Sequence, residues 1–392
     1  MTSRVAADAG GAGAYPASSD GAVANEDKAT LYHRLQRRAS LAATSVGVLF
    51  LVLLVITGAC STLVRVLETA VGPSRLAVAA TFATVLLALH ELLALPFTYY
   101  RGVTLERRYG LSSESRVHWW LTHLKAMVVG GVLTVAAAVV VSALVAVSPE
   151  RWWIAASVLF AALLVAMVWA APVWLFPIFY DFRPLDRPAL TARLVALARQ
   201  AGASVSGVFE WRLGDRTRKA NAALVGIGGT RRILLSDTLL ETHSDDEIEV
   251  ILAHELAHHV HGDLWSGLAL QALITTAGLF TAHRALDGLA GPLGLRGPAD
   301  VAGLPIVALA AGAVSLAVTP LANALSRAHE RRADRFAIDL TRNAAAFMSA
   351  LRRLSAQNLA EERPPAWVEA IFHSHPSTPR RLEAAKRWVE RT

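Results

Sequence analysis

The stretch "ILAHELAHHVHGD", residues 251–263, sets His254 and His258 four residues apart with Glu255 beside the first. Just upstream, Ser244 and Glu247 stand in capping-box spacing, which predicts a helix opening near residue 245. On that helix the two histidines lie one turn apart on one face, within reach of a single ion. Imidazole nitrogens suit zinc, and a catalytic zinc keeps three protein ligands with the fourth position open to water. A third ligand must come from elsewhere.

The segment "LSRAHERRADRFAIDL", residues 325–340, supplies a candidate on a second helix. Glu330 would complete a His, His, Glu set, and Asp334, one turn further on, is placed to accept the spare N–H of a metal-bound imidazole. Read alone, its alternating Arg and Glu describe a solvated, salt-bridged face. Glu255 is not needed as a ligand, which leaves it free to act as general base on a metal-bound water. A developing oxyanion also needs hydrogen-bond donors. "HSHPSTPRRL", residues 373–382, offers His373, His375, Arg380 and Arg381.

The rest of the 392-residue chain is unlike a soluble hydrolase, with 54% hydrophobic and 18% charged residues. Six apolar runs have the roughly 20-residue length that crosses a bilayer: 40–60, 76–97, 127–147, 152–176, 264–282 and 301–321. A net charge of +7 raises nucleic acid as a partner, but the basic residues are scattered without interleaved aromatics or a reader motif, so none is expected. Their distribution fits orientation instead. With a cytoplasmic N-terminus, the first tail and second inner loop hold ten Lys and Arg against five in the outer segments. The positive-inside bias then places the 181–263 block in the cytoplasm. Cys60 is the lone cysteine, which excludes an intrachain disulfide. It closes the first run in "TGAC", where Thr57 argues against a lipoprotein signal, so the run is read as a retained span.

The expected organisation is mainly α, a multi-span helical membrane protein with a small β-sheet. Residues 1–39 form a disordered N-terminal tail. Residues 40–180 form a four-span membrane domain with a polar cytoplasmic loop at 98–125, whose Trp119 and Trp120 are interface anchors. Residues 181–392 form the hydrolytic domain with the last two spans. Within it a helix capped by Asp186, with Pro188 in its first turn, stops at Gly202. Strands follow at 207–213, 219–226 and 231–237, the last two joined by the turn "GIGGT".

Taken together and in order, "LPFTYYRGVTLERRYGL", "PIFYDFRPLDRPAL", "KANAALVGIGGTRRILLSDTLL", "HELAHH", "ERRAD" and "HSHPSTPRRL" resemble the type I CAAX prenyl endopeptidases. These are integral-membrane zinc metalloproteases of the gluzincin group, and the likeness runs from about residue 95 to 385. It implies one zinc per chain on His254, His258 and Glu330, with Glu255 as base and Asp334 behind the ligands. It implies that His375 and Arg381 hold the substrate or the oxyanion. Asn221 and Ala222 match a strand whose edge pairs with bound peptide. The implied substrate is a peptide or protein, prenylated in the CAAX case, reaching the metal through a chamber among the membrane helices of the plasma membrane, with the site on the cytoplasmic side. Six spans rather than seven, His259 in an aromatic position and no long insertion before the metal helix depart from the eukaryotic pattern. The alternatives are a heat-shock-type quality-control metalloprotease and, from another class, an inactive scaffold or lipid-binding chamber. The oligomeric state is left open.

Overall fold

The computed structural model describes residues 19–390. Helix α1 (Ser19–Ile56) breaks at Thr57 and Gly58, where Gly58 takes the left-handed backbone (φ 72°), and α2 (Ala59–Val71) follows. Then come α3 (Arg75–Tyr99), α4 (Glu106–Arg108), α5 (Arg116–Val147), α6 (Trp152–Ala170) and α7 (Phe176–Phe179). Wide-turn π segments, Tyr100–Leu105 and Ala171–Leu175, splice α3 to α4 and α6 to α7. After strand β1 (Phe182–Pro184) and α8 (Pro188–Gln200) come β2 (Val208–Trp211), β3 (Ala222–Val225), β4 (Arg232–Ser236), α9 (Asp237–Thr242) and α10 (Asp245–Val260). The chain ends with α11 (Asp263–Leu289), α12 (Leu304–Thr341), α13 (Ala344–Gln357), α14 (Ala366–Phe372) and α15 (Thr378–Val389).

Among the described residues, six helical stretches are long and apolar enough to cross a membrane: Lys28–Ile56, Arg75–Arg108, Arg116–Val147, Trp152–Phe179, Asp263–Leu289 and Val301–Thr341. They show apolar side chains such as Leu92, Val132 and Leu321 on their outer surfaces, as lipid-facing helices do. Polar contacts collect at the two ends of this bundle. At one end Tyr32 and Lys219 meet Glu106, Arg37 pairs with Glu361 at 2.5 Å, and His33 Nε2 donates to the Leu359 carbonyl at 2.9 Å. At the other, Arg75 donates to the carbonyls of Ala299 and Ser142, and Arg296 pairs with Glu68 at 2.7 Å. The first end joins the beginning of α1, the segment after α3 and the hydrolytic block, which is the grouping the charge bias requires.

Several expectations change. Helix α1 begins well before residue 40, and Ala29 and Tyr32 are buried, so a disordered tail reaching residue 39 is incorrect; residues 1–18 of that expectation lie outside the described residues. Cys60 opens α2 instead of closing the first span, because the glycine turn separates them. Most of the 98–125 loop is helix, since its polar residues project from extensions of α3 and α5. The cap of α8 is not Asp186: Arg187 holds the N-cap position without a side-chain cap, and Pro188 fixes the first turn.

The sheet has the order β1-β2-β4-β3, with β2 and β4 parallel and the other pairs antiparallel. Strand β1, which has no apolar alternation, was not anticipated. Gly226 turns the β3–β4 hairpin with φ 88°, and a Cβ there would meet the Thr230 carbonyl at 2.5 Å. One core joins Leu190 and Leu194 of α8, Ile233 and Leu235 of β4, and Ile248, Leu252 and Leu256 of α10. Burying each such leucine stabilises the fold by about 2 kcal/mol, which fixes α10 against the sheet. Helices α11 and α12 pack closely because Gly278 lies against Ala311, where a Cβ would stand 3.1 Å from the Ala311 Cα.

The opening of α10 is clamped by a complete capping box. Glu247 Oε2 accepts from the Ser244 N–H at 2.8 Å, and its Oε1 accepts from Ser349 at 2.7 Å and lies 3.2 Å from Arg353 Nε. Burial pushes its pKa up, but these donors outweigh it and hold the carboxyl below the usual glutamate value. Such a depressed group stabilises the fold above its unfolded pKa of about 4.3 and loses that contribution as pH falls through its folded value. Glu247→Ala is therefore expected to destabilise the protein by about 1–3 kcal/mol at pH 7. In thermal unfolding in detergent, the gap to the parent should close on acidification below pH 4.

Candidate metal centre

Helix α10 ends at His261 and Gly262, whose left-handed backbone (φ 70°) folds Asp263 back toward the helix. His254 and His258 point to one side, with Nε2 atoms 3.3 Å apart. Helix α12 crosses that face and brings in Glu330, which is 4% exposed. Its Oε2 lies 3.3 Å from His254 Nε2 and its Oε1 lies 3.3 Å from His258 Nε2.

These distances test whether a metal fits. Tetrahedral coordination with bonds of about 2.0–2.1 Å puts ligand atoms roughly 3.3–3.4 Å from one another. The two Nε2 atoms, and the Glu330 oxygen that faces each, already stand at that spacing, and one ligand atom from each side chain lies within 4.8 Å of the others. Buried Glu330 Oε2 has no well-aligned hydrogen-bond donor; His375 Nδ1 is 2.9 Å away but out of line. The donor set and its spacing fit a divalent first-row metal.

Behind the ligands, each histidine has its own carboxylate. Asp334 Oδ1 is 3.0 Å from His254 Nδ1, and Asp263 Oδ2 is 2.8 Å from His258 Nδ1. Sequence reading missed Asp263. Its signal was present in the terminal "HGD", where a glycine able to reverse the helix end precedes a carboxylate. Arg381 grips Asp334 with two hydrogen bonds, Nε to Oδ2 at 2.9 Å and Nη2 to Oδ1 at 2.6 Å, and its Nη2 is 3.7 Å from Glu330 Oε2. Arg332 and His329 also surround Asp263.

Glu255 lines a cavity of about 150 Å³ together with His254, Glu330, His375 and Arg381, opposite apolar Val250 and Phe347. Loss of hydration raises the Glu255 carboxyl above its ordinary value, although the neighbouring histidines pull the other way. His375 is the exposed member of the set. Of the remaining donors of that segment, His373 lies 3.4 Å from Glu361, and Arg380 pairs with Glu369 at 3.1 Å. Both are directed away from the centre. Asn221 and Ala222 lie at the edge of the sheet: β3 pairs with β4 alone among the described strands, and Asn221 exchanges hydrogen bonds with Ser236 through its backbone at 2.9 Å.

A second cavity, about 720 Å³, meets the first at His375 and Arg381. It extends past Phe372 to Leu41 and Thr44 of α1 and Leu316 of α12. Those three lie within the first and last membrane-spanning stretches. The two cavities thus share part of their lining, one bordered by residues of the membrane-spanning stretches and the other by the metal-ligating cluster.

A family model described as peptidase family M48 matches residues 184–389, and one described as CAAX prenyl protease N-terminal, five membrane helices, matches residues 13–181. The chain is 30% identical to the uncharacterized metalloprotease YhfN of Bacillus subtilis over 86% of its own length and 80% of that protein. It is 28% identical to a CAAX prenyl protease 1 homolog of Oryza sativa, covering 74% of this chain and 69% of the relative. Its fold matches the crystal structure of S. mikatae Ste24p with a TM-score of 0.82 at 21% identity, over 92% of this chain and 89% of that one.

Carboxylates that orient metal-bound imidazoles are typically worth about 10–100-fold in metal affinity. Asp263→Asn is expected to weaken metal binding by such a factor while leaving the ligands in place. Competition titration against a chromophoric chelator measures it, and an unchanged affinity would remove Asp263 from the centre.

Proposed function

The chain belongs to peptidase family M48 as a membrane metalloprotease of the CAAX prenyl protease type, and we propose that it hydrolyses peptide bonds of prenylated, membrane-associated substrates at His254, Glu255, His258 and Glu330. The observation that carries this reading is the lining shared by that cluster's cavity and one bordered by membrane-spanning stretches. A lipid-bearing peptide lying along the two keeps its lipid in the apolar phase, and a prenyl chain gains roughly 0.8 kcal/mol for each CH₂ it buries.

One zinc per chain, held by His254, His258 and Glu330, would supply a Lewis acid that lowers the pKa of a water to about 7. Asp263 takes the outer N–H of His258, and Asp334, 3.0 Å from His254 Nδ1, stands where it would take that of His254, so that both tautomers are fixed. Glu255 removes the proton of the attacking water and delivers it to the leaving amine. His375, exposed beside Glu330, donates toward the oxygen that gains charge. Arg381 holds Asp334 and turns one guanidinium edge to the site, so its contribution divides between positioning and substrate contact. The free edge of β3 at Ala222, next to Asn221, whose own backbone is tied to Ser236, lets the substrate backbone add as a strand. A four-span membrane unit precedes residue 181 and a catalytic unit follows it, and the charge bias supports an orientation in which the latter faces the cytoplasm, the membrane being read as the plasma membrane.

Glu255→Gln is expected to cut turnover by about 10²–10⁴-fold while still binding one zinc, because it removes a base and no ligand. Glu330→Gln should release zinc in the same metal analysis. The detergent-purified protein should cleave a farnesylated CAAX-type peptide faster than its unprenylated twin and release the terminal tripeptide. Equal cleavage of both peptides, with digestion of unfolded protein, would instead assign the heat-shock-type quality-control activity. For sidedness, a cysteine introduced at Gly291 should react with an impermeant reagent in intact cells, and one at Glu241 should not; labelling of the latter would reverse the proposed orientation.

A further inference from the structure

A third cavity, about 630 Å³ in volume, lies among α12, α14 and α15. Six arginines line it: Arg327, Arg331, Arg335, Arg380, Arg381 and Arg387. Only three acids share the lining, Asp334, Glu369 and Glu383, so half of the positive charge is uncompensated. The pairs also differ in strength. Buried Asp334 holds Arg381 through two hydrogen bonds, and buried Glu369 holds Arg380 at 3.1 Å. Glu383 meets Arg387 at 3.1 Å one turn along α15, with both side chains more than half exposed, and an ion pair of that kind is worth little in water.

Of the remaining three, Arg327 is occupied by the carbonyls of Glu369, Ala370 and His373. Arg331 and Arg335 have no carboxylate partner among the described residues, and Arg335 lies over the Trp388 ring at 6.0 Å. Four residues apart on α12, they stack like charges on one face, which disfavours the helix unless an anion intervenes. Arg331 and Arg335 on α12 and Arg387 on α15 are therefore the guanidinium groups open to a ligand.

Depth restricts what that ligand is. The apolar part of α12 ends at Leu321, and Arg331 and Arg335 follow about 15 and 21 Å further along the axis. The headgroup layer of a bilayer reaches only roughly 5–8 Å beyond the hydrocarbon. Both arginines thus stand in the aqueous phase, and an anion that meets them comes from solution. Size and charge restrict it further. The recess falls within the roughly 300–1,000 Å³ of small-molecule sites. Three uncompensated positive charges match a phosphoryl group, which carries about two negative charges near pH 7, better than a single carboxylate.

We propose that this recess binds a small, soluble phosphate-bearing anion, with Arg331 and Arg335 reaching it from α12 and Arg387 from α15. Arginine suits the task because its planar fork presents paired donors to phosphate oxygens. Inorganic phosphate and a small phosphate ester share this chemistry. Either would bridge α12, which carries Glu330 and Asp334, to α15, which carries Arg381, and so brace the contact that sets the Arg381–Asp334 pair behind His254. The proposal rests on the membrane placement of α12 and not on the peptidase reading.

The test titrates inorganic phosphate, and separately glycerol 3-phosphate, into the full zinc-loaded chain in an uncharged detergent, with ionic strength held constant by chloride and heat read by calorimetry. One anion should bind per chain, and the tighter of the two identifies the source. The double variant Arg331→Gln/Arg335→Gln should weaken binding about tenfold or more, whereas Arg199→Gln/Arg352→Gln, outside the lining, should leave it unchanged. Far-ultraviolet circular dichroism and thermal unfolding establish that both variants fold. Parental affinity in the first variant would overturn the proposal and move the anion to the metal. Displacement of phosphate by phosphatidylglycerol in mixed micelles would overturn it in favour of a lipid, and displacement by a lower concentration of a soluble acidic peptide in favour of a protein partner. Peptidase activity is not a readout, so failure of the proposed substrate would leave this result standing.

Discussion

Everything at the centre depends on a crossing of two helices that sets two imidazole Nε2 atoms 3.3 Å apart and one Glu330 oxygen 3.3 Å from each. Helix α10 contributes the two imidazoles through its own periodicity. The carboxylate arrives only if α12 passes at one height and one rotation. Glycine contact between α11 and α12, the leucines of α10 against the sheet and the Ser244–Glu247 clamp each restrict that passage. A carboxylate buried beside two imidazoles would cost several kcal/mol without compensating charge. Asp263, Asp334, Arg381 and Arg332 form the alternating charges that make this cluster tolerable.

The same crossing ties chemistry to the bilayer. Helix α12 runs from a membrane-spanning part directly into the segment that carries Glu330 and Asp334, without an intervening loop. From Leu321 to Glu330 is about 13 Å at a helical rise of 1.5 Å per residue. The metal-ligating cluster is thereby held at a set height outside the hydrocarbon. The large cavity between α1 and α12 bridges that distance with apolar residues at one end and His375 at the other.

Much of this arrangement was legible in the chain. Apolar runs identify the six spans because a bilayer demands length and composition and little else. The histidine pair and the capping box specify α10, and the spacing of Glu330 and Asp334 specifies which face of α12 matters. Span ends were harder to read: the break at Gly58 depends on one backbone dihedral, and helix extensions around 98–125 remain helical although polar. Strand β1 offers three residues without alternation, and only its partner β2 defines it. Asp263 was overlooked because its proximity to His258 arises from a helix terminus and has no periodicity of its own. The separate destinations of Arg380 and Arg381 likewise follow from which carboxylate each meets, a matter of tertiary placement.

The separation of the ligands along the chain has a consequence for biosynthesis. Between His254 and Glu330 lie one complete membrane-spanning stretch and the apolar part of the next, and His375 and Arg381 come later still. A nascent chain emerging from the ribosome displays the histidine pair long before the carboxylate that completes the set. Until the last hairpin has entered the bilayer and its second helix has returned, there is no enclosed centre to cut neighbouring polypeptides at the insertion machinery. Integration of the last two spans thus precedes completion of the ligand set.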